Sequence, residues 1–449
     1  MSDSSTAAKQ VSKKTVRRVV ASSFIGTTLE YYEFFVFAAA SALIFNKIFF
    51  PSFSPIAGTL ASFATFAVGF LARPVGSVIL GAMGDKLGRK RTLVLSMLLM
   101  GGATVAIGLT PTYDSIGWFA PLILVLLRIV QGLALGGEWG GAALMLVENA
   151  GPKRKFTMGS VVNMGTPGGL ILSTGVLSVT VALTGNNFET WGWRIPFLLS
   201  AVLVGIAYYI RHKLEETPEF TETMAKMKTP VRAPIVEVFR TNWRNVVKIF
   251  FICAAANAVY FIVATYTLTY ATTTHNLARQ DLLMAQLYAA LIYVVAIPLY
   301  GRLADRIGPA KVIMIGCALN TVFAFLYFPL VDSGQIFLVF AAMAFGLSAI
   351  HSAIQAPQAG MFAEKFPVRI RYSGVAFSQA LPTAIVGGTS PLIATALVSA
   401  TGSTIGIAIF MAGFALIGFI TALLWHRGHA PAVTARSQLT DADAKQVLR

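Results

Sequence analysis

The sequence predicts an all-α protein that crosses a membrane twelve times, as two repeated six-helix bundles, and three observations predict it. First, 56% of its 449 residues are hydrophobic and only 12% are charged, with a mean hydropathy of +0.70. Soluble globular chains carry roughly 25% charged residues. Second, apolar runs recur from Phe24 to Trp425, each of about 20 residues, enough to cross a hydrocarbon core of ~30 Å at ~1.5 Å per residue. Third, the halves echo each other. Gly81, Asp85 and Gly88 return as Gly301, Asp305 and Gly308 at an offset of 220, and Gly168-Gly169 returns as Gly387-Gly388 at an offset of 219.

Apolar length and turn residues place the first six spans at about 21–45, 57–80, 92–110, 118–147, 157–184 and 194–210. The second six fall at about 246–272, 281–301, 309–330, 335–357, 372–400 and 404–426. The domains expected are therefore an N-terminal segment 1–20, a bundle 21–210, a linker 211–245 rich in Lys, Glu and Pro, a bundle 246–426 and a tail 427–449.

Charge then orients the spans. Thirty of the 35 Lys and Arg lie in the N-terminus, 86–91, 153–155, 211–248, 302–311, 365–371 and the C-terminus, all on one side of this topology. The loops on the other side hold only Lys47 and Arg279. Cytoplasmic loops carry such an excess, so both termini and the linker are expected in the cytoplasm. The net charge of +16 is thus a matter of topology. No nucleic-acid partner is expected, because no stretch outside the spans interleaves basic side chains with stacking aromatics. Cys253 and Cys317 lie inside apolar runs without metal-ligand spacing, and residues 1–20 lack the apolar core of a signal peptide. A multi-pass protein of the inner or plasma membrane follows, monomeric, with the lipid bilayer as its partner and no cofactor.

The segment Gly81-Ala-Met-Gly-Asp85-Lys86-Leu-Gly88-Arg89-Lys90-Arg91 resembles the loop signature of the major facilitator superfamily at every fixed position. Gly81 and Gly88 allow close helix approach and a tight turn, while Asp85 can cap a helix N-terminus or pair with Arg89 or Arg91. Asp305 belongs to the second copy, in which Pro309 replaces the Arg after the last glycine. Arg128-Ile-Val-Gln131-Gly132 is similar to the superfamily's R-x-x-Q-G element. Together with Tyr31-Tyr32-Glu33-Phe34, Arg73-Pro74-Val-Gly76 and Trp191-Gly-Trp193-Arg194-Ile-Pro196-Phe197, it resembles the metabolite:proton symporter family, in its shikimate-transporter-like branch. That family has W-Y-D-F where this chain has Tyr31 to Phe34, so the carboxylate is kept but reaches one methylene further. Gly165-Thr-Pro167-Gly168-Gly169 shares the composition but not the spacing of the antiporter element G-P-x-x-G-G, which favours symport. The resemblance implies two pseudo-twofold related bundles, alternating access and a substrate site between the halves.

Ionisable residues inside spans are costly and become functional candidates. Glu33 and Glu30 share a face of the first span, and Arg73 and Arg128 lie at mid-depth, with Gln131 following Arg128 on its face. Arg128 and Gln131 are expected to hold a substrate carboxylate in a bidentate fork, with Arg73 and Tyr32 as further substrate contacts. Glu33 is expected to carry the co-transported proton and free Arg128 from an internal ion pair, with Glu30 second and Glu138, further toward the cytoplasm, as a third proton-coupling candidate. Glu148 joins Gly81, Asp85, Gly88, Arg89, Arg91 and Asp305 as an expected gate element. His351 and Gln355, four residues apart, are the candidate substrate contacts of the second half, although packing is the commoner role of a lone membrane histidine.

The expected activity is proton-coupled import of a small organic acid, shikimate-like or a dicarboxylate. The alternative is a zwitterionic osmolyte such as proline or betaine. An exporter of hydrophobic compounds fits the charged midplane poorly. A channel lacks its carbonyl filter loop, and an enzyme lacks any nucleophile elbow, phosphate loop or metal constellation.

Overall fold

The computed structural model describes residues 13–87, 89–136, 138–148, 154–212, 234–367 and 370–427. Every regular element among them is helical. In the first half, α1 is Lys13–Leu43, α2 Pro55–Leu87 and α3 Arg89–Leu109. Next comes α4, Phe119–Leu135, resuming as Glu138–Glu148. Then α5 runs Lys155–Asn163 and, past a break at Met164, Gly165–Thr184, and α6 is Arg194–His212. In the second half, α7 is Ile235–Thr274, α8 Arg279–Ile307 and α9 Pro309–Asp332. The last three are α10 (Ile336–Ala363), α11 (Arg371–Thr401) and α12 (Ile405–Arg427). Eight of these, α2, α5 and α7 to α12, are long and apolar enough to cross a membrane. Val94–Leu109, Phe119–Leu135 and Arg194–Ile206 are shorter apolar helices. In α1 the apolar run is interrupted by Glu30 and Glu33.

The contacts between halves carry the repeat into three dimensions. Helix α5 runs against α8, and α2 runs against α11. Exchanging the halves turns one of these pairs into the other, so two pseudo-symmetric bundles meet across a twofold-like interface.

One boundary differs from the sequence expectation. The second bundle was expected from residue 246, yet a helix already starts at Pro234, where proline suits a first turn. Asn242 kinks it with φ −131° and ψ 17°. Charged Glu237, Arg240 and Arg244 make this stretch read as linker although it is helical.

Glycine sets how closely α2 and α4 approach. A Cβ on Gly132 would lie 1.9 Å from the Gly69 carbonyl oxygen, and one on Gly76 2.1 Å from that of Leu133. A Cβ on Gly136 would lie 2.1 Å from the Ser77 nitrogen. The two helices therefore touch backbone to backbone, as small residues allow in membranes. The same device seats α1 on α5, where Cβ atoms on Gly165 and Gly169 would meet Thr27 at 2.5 Å and Tyr31 at 2.4 Å.

Three helices of the second half each hold a π-helical segment: Ile262–Tyr266 in α7, Gly346–His351 in α10 and Thr383–Gly387 in α11. Such turns misalign backbone carbonyls, and side chains fill in. Gln286 Nε2 donates to the Ala264 carbonyl at 2.5 Å, Thr267 Oγ1 to that of Ile262 at 3.0 Å and Ser352 Oγ to that of Leu347 at 3.2 Å.

Candidate functional site

Helices α1, α3 and α4 bring buried polar residues of the first half together. Arg128 is 2% exposed and Glu33 4%. Arg128 Nη1 donates to Gln131 Oε1 at 2.8 Å, and Gln131 Nε2 donates to Thr104 Oγ1 at 2.6 Å. Thr104 Oγ1 in turn donates to Glu33 Oε2 at 2.9 Å. An unbroken file of hydrogen bonds thus runs from the cation of α4 through α3 to the carboxylate of α1.

This corrects the expected internal ion pair. Among the described residues no carboxylate pairs with Arg128; Gln131 and Thr104 stand between it and Glu33. Glu33 faces α3, where a Cβ on Gly101 would come within 3.1 Å of its Oε1. The Arg128 guanidinium instead lies 3.9 Å from the Phe37 ring centroid and donates from Nη2 to the Phe66 carbonyl at 3.2 Å. Its Nε has no hydrogen-bond partner. Cation–π contact replaces part of the hydration that the ion loses. Arg73 uses the same aromatic bed, 4.5 Å from the Phe70 centroid and 5.2 Å from that of Phe34.

Glu30 diverges from Glu33. It lines a narrow cavity between the halves with Tyr31, Arg73 and Trp139 from the first half and Ala376 and Gln379 from the second. Arg73, rather than Arg128, is therefore the guanidinium that meets open space. Tyr32 is not a lining residue. Its buried hydroxyl donates to the Pro196 carbonyl at 2.7 Å and ties α1 to α6.

His351 and Gln355 serve different places. His351 Nδ1 lies 2.7 Å from the Tyr293 hydroxyl, with its ring 4.7 Å from that of Tyr260. The Tyr260 hydroxyl is buried without a partner. Gln355 instead joins the halves: its carbonyl accepts from Asn163 Nδ2 at 2.8 Å, and its Nε2 donates to Asn163 Oδ1 at 3.4 Å. Between Arg128 and Tyr260 stands an aromatic layer, in which Phe261 packs against Phe34, Phe66 and Phe70 at 5.9, 6.0 and 5.3 Å.

Among the described residues, polar contacts bridge the halves at both ends of the interface. At one, the Asp305 carboxylate accepts from the backbone nitrogens of Phe156 at 2.9 Å and Thr157 at 3.0 Å, and from the Thr157 hydroxyl. It thereby caps α5 from the other half and meets the positive end of that helix. Lys155 also pairs with Glu364 at 2.8 Å. At the opposite end Glu189 Oε1 holds Lys47 at 2.7 Å and Arg279 at 3.0 Å. Arg279 reaches across from the second half and also donates to the Leu43 carbonyl at 3.4 Å. Thr269 ties the same end by donating to the Ala42 carbonyl at 2.8 Å.

Partial burial pushes the Glu189 carboxyl upward, but hydrogen bonds and charge from Lys47 and Arg279 outweigh it and hold the group below the usual carboxylate range. A depressed acid contributes its stabilisation above the ordinary carboxylate pKa of ~4.3 and loses it only as pH falls through its own lower value. Neutral and mildly acidic solutions should therefore leave the clasp closed, whereas Glu189→Gln should loosen it at every pH. Electron–electron resonance distances between spin labels at the exposed Asn186 and Thr274 should lengthen in that variant; an unchanged distribution would show that the clasp holds nothing.

Gly88 and the side chains of Gly81, Asp85, Arg89, Arg91, Glu138 and Glu148 lie outside the described residues. Thr104 and Glu189 stand in these contacts although the sequence did not mark them. A serine or threonine in an apolar run carries no signal of its own, but Glu189 could have been found as the acid facing the two isolated cations Lys47 and Arg279. Among the described residues no group of three or more His, Cys, Asp or Glu could hold a metal ion.

Comparison with known proteins fits this architecture. The family model "Major Facilitator Superfamily" matches residues 24–292 and 282–446. The chain is 40% identical to the inner membrane metabolite transport protein YhjE of Escherichia coli K12, over 91% of this chain and 94% of that protein. It is 39% identical to the shikimate transporter of the same organism, over 92% and 95%. A putative proline/betaine transporter of Staphylococcus aureus (strain COL) is 34% identical over 93% and 89%. Among solved structures, the proton:xylose symporter XylE bound to 6-bromo-6-deoxy-D-glucose superimposes with a TM-score of 0.74, at 13% identity over 94% of this chain and 97% of that one. The chain belongs to the major facilitator superfamily, in its metabolite:proton symporter branch.

Proposed function

We infer that the chain imports a small organic acid, shikimate-like or a dicarboxylate, together with a proton by alternating access. The observation that carries this reading is Arg128, a cation sealed from water with no acid partner among the described residues and one nitrogen unpaired. A buried charge left this way is costly. While Glu33 is ionised, its charge reaches Arg128 through the hydrogen-bond file. Once a proton neutralises Glu33, the cations of this level attract an anion, so proton and carboxylate enter together, and for a monocarboxylate the charge carried by the protein is unchanged. Arg73, on the cavity, is the first contact for the carboxylate. Arg128 takes it up when Phe34 moves.

All twelve helices α1 to α12 cross the inner membrane, and one chain is the working unit. The 30-to-2 charge bias supports a cytoplasmic position for both termini and the linker. The Asp305 and Glu364 contacts are then the inner gate, shared with Gly81, Asp85, Gly88, Arg89, Arg91 and Glu148 and approached through Glu138. Glu189 is the outer clasp. The bridging contacts at both ends correspond to an occluded intermediate.

One observation favours a second reading. The cavity offers an acid and a base, Glu30 and Arg73, with Tyr31 and Trp139 beside them, a lining that also suits a zwitterion such as proline or betaine. Uptake of radiolabelled shikimate, dicarboxylates, proline and betaine into proteoliposomes under an inward proton gradient separates the two. Accumulation of an osmolyte and of no acid would overturn the organic-acid reading. For the substrate taken up, Glu33→Gln should abolish the dependence on the gradient while leaving counterflow exchange; unchanged dependence would remove Glu33 from the coupling role.

A further inference from the structure

We propose that Thr104 is a positioning residue that passes the protonation state of Glu33 on to Arg128. The proposal rests on the reading of Glu33 as the proton carrier. Thr104 Oγ1 lies within hydrogen-bond distance of three polar atoms: Glu33 Oε2 at 2.9 Å, the Met100 carbonyl at 3.0 Å and Gln131 Nε2 at 2.6 Å. The third can only donate. The first two compete for the single hydroxyl proton, so the hydroxyl serves one of them at a time.

The charge on Glu33 decides which. An ionised carboxylate only accepts, so the hydroxyl proton points to it. Its oxygen, polarised by the anion, is then a strong acceptor for Gln131, whose Oε1 holds Arg128. When a proton delivered by water forms an O–H bond on Glu33, that acid becomes the donor to Thr104. The threonine proton turns to the Met100 carbonyl, and no other covalent bond changes. Thr104 Oγ1 now accepts from both Glu33 and Gln131, its bond to Gln131 weakens, and Arg128 Nη1 is released toward a substrate anion.

The surroundings of Glu33 favour this switch. From α3 it meets Thr104 and Gly101, neither of which titrates in the relevant range. Glu30 and Tyr32 are the titratable neighbours on its own helix, and Arg128 and Arg73 are the cations of this level. A valine at 104 would keep the shape and lose both the donor and the acceptor.

Infrared pH-difference spectroscopy on the full chain in nanodiscs tests this without a substrate, by reading the C=O stretch of protonated carboxyl groups. Glu33→Gln should remove one titrating band. Thr104→Val should leave that band present but move it to higher frequency and shift its midpoint, because the acid loses its hydrogen-bond partner. Thr104→Ser should restore both. Should the valine variant fail to fold, Thr104→Ala carries the same expectation. A band in Thr104→Val (or Ala) with wild-type frequency and midpoint would overturn the relay while leaving Glu33 as the carrier. A band that survives Glu33→Gln would overturn the carrier reading, and the relay with it.

Discussion

Replacing Gly132 with alanine should destabilise the protein more than any other single methyl group added along α2 or α4. The new Cβ would sit 1.9 Å from the Gly69 carbonyl oxygen and 2.8 Å from the Ala72 Cβ. Neither neighbour is a flexible side-chain end that could swing aside. Restoring an ordinary contact of roughly 3.5 Å means parting the helices by on the order of 1.5 Å. Overpacking of a tight core costs about 1–3 kcal/mol, and backbone collisions lie at or above the upper end. Because Gln131 and Arg128 precede Gly132 on the same helix, the shift also pulls the hydrogen-bond file apart. The melting temperature in detergent should fall by several degrees and uptake should fall with it. Gly102→Ala is the control, since a Cβ there meets nothing within 4 Å. Equal melting of the two variants would show that α2 and α4 are free to separate.

Arg128→Lys should cost about 100-fold in gradient-driven uptake, the equivalent of ~2.7 kcal/mol. The charge is kept, so the loss isolates geometry. Arg128 donates to Gln131 from one terminal nitrogen and to the Phe66 carbonyl from the other while its plane rests 3.9 Å from the Phe37 centroid. An ammonium is a point charge on a flexible stem and cannot span those positions or lie flat on the ring. It is also more strongly hydrated, so burying it costs more. Radiolabelled uptake at matched protein levels measures the effect. A lysine variant with wild-type transport would remove the guanidinium fork from the mechanism.

The architecture was legible because membranes impose it. Twenty-residue apolar runs, lopsided basic loops and the glycine-spaced repeat each follow from a physical requirement of a two-half bundle. The buried Glu33 and Arg128 were legible for the same reason, since charge in an apolar span stands out. Their connection was not. Whether Glu33 faces Arg128 or Thr104 depends on the rotation of α1 against α3, and periodicity leaves that angle open. Tyr32 shows the same gap, because one helix position separates a hydroxyl that lines a cavity from one that bonds the Pro196 carbonyl. The early start at Pro234 was hidden because polar residues there mimic a linker, and the π-helical turns leave no compositional trace.

Those turns have a consequence for how the halves divide their labour. A π turn stores one residue more than the α turn it replaces. Where that surplus can migrate along the helix, it turns the side chains it passes by about 100° each without opening the ends of the helix. The described first half, cinched by glycine contacts, has no such slack; α7, α10 and α11 each keep some, and His351 ends one of these stretches. The charged half therefore behaves as the anvil, and the half poor in charge carries the expansion joints.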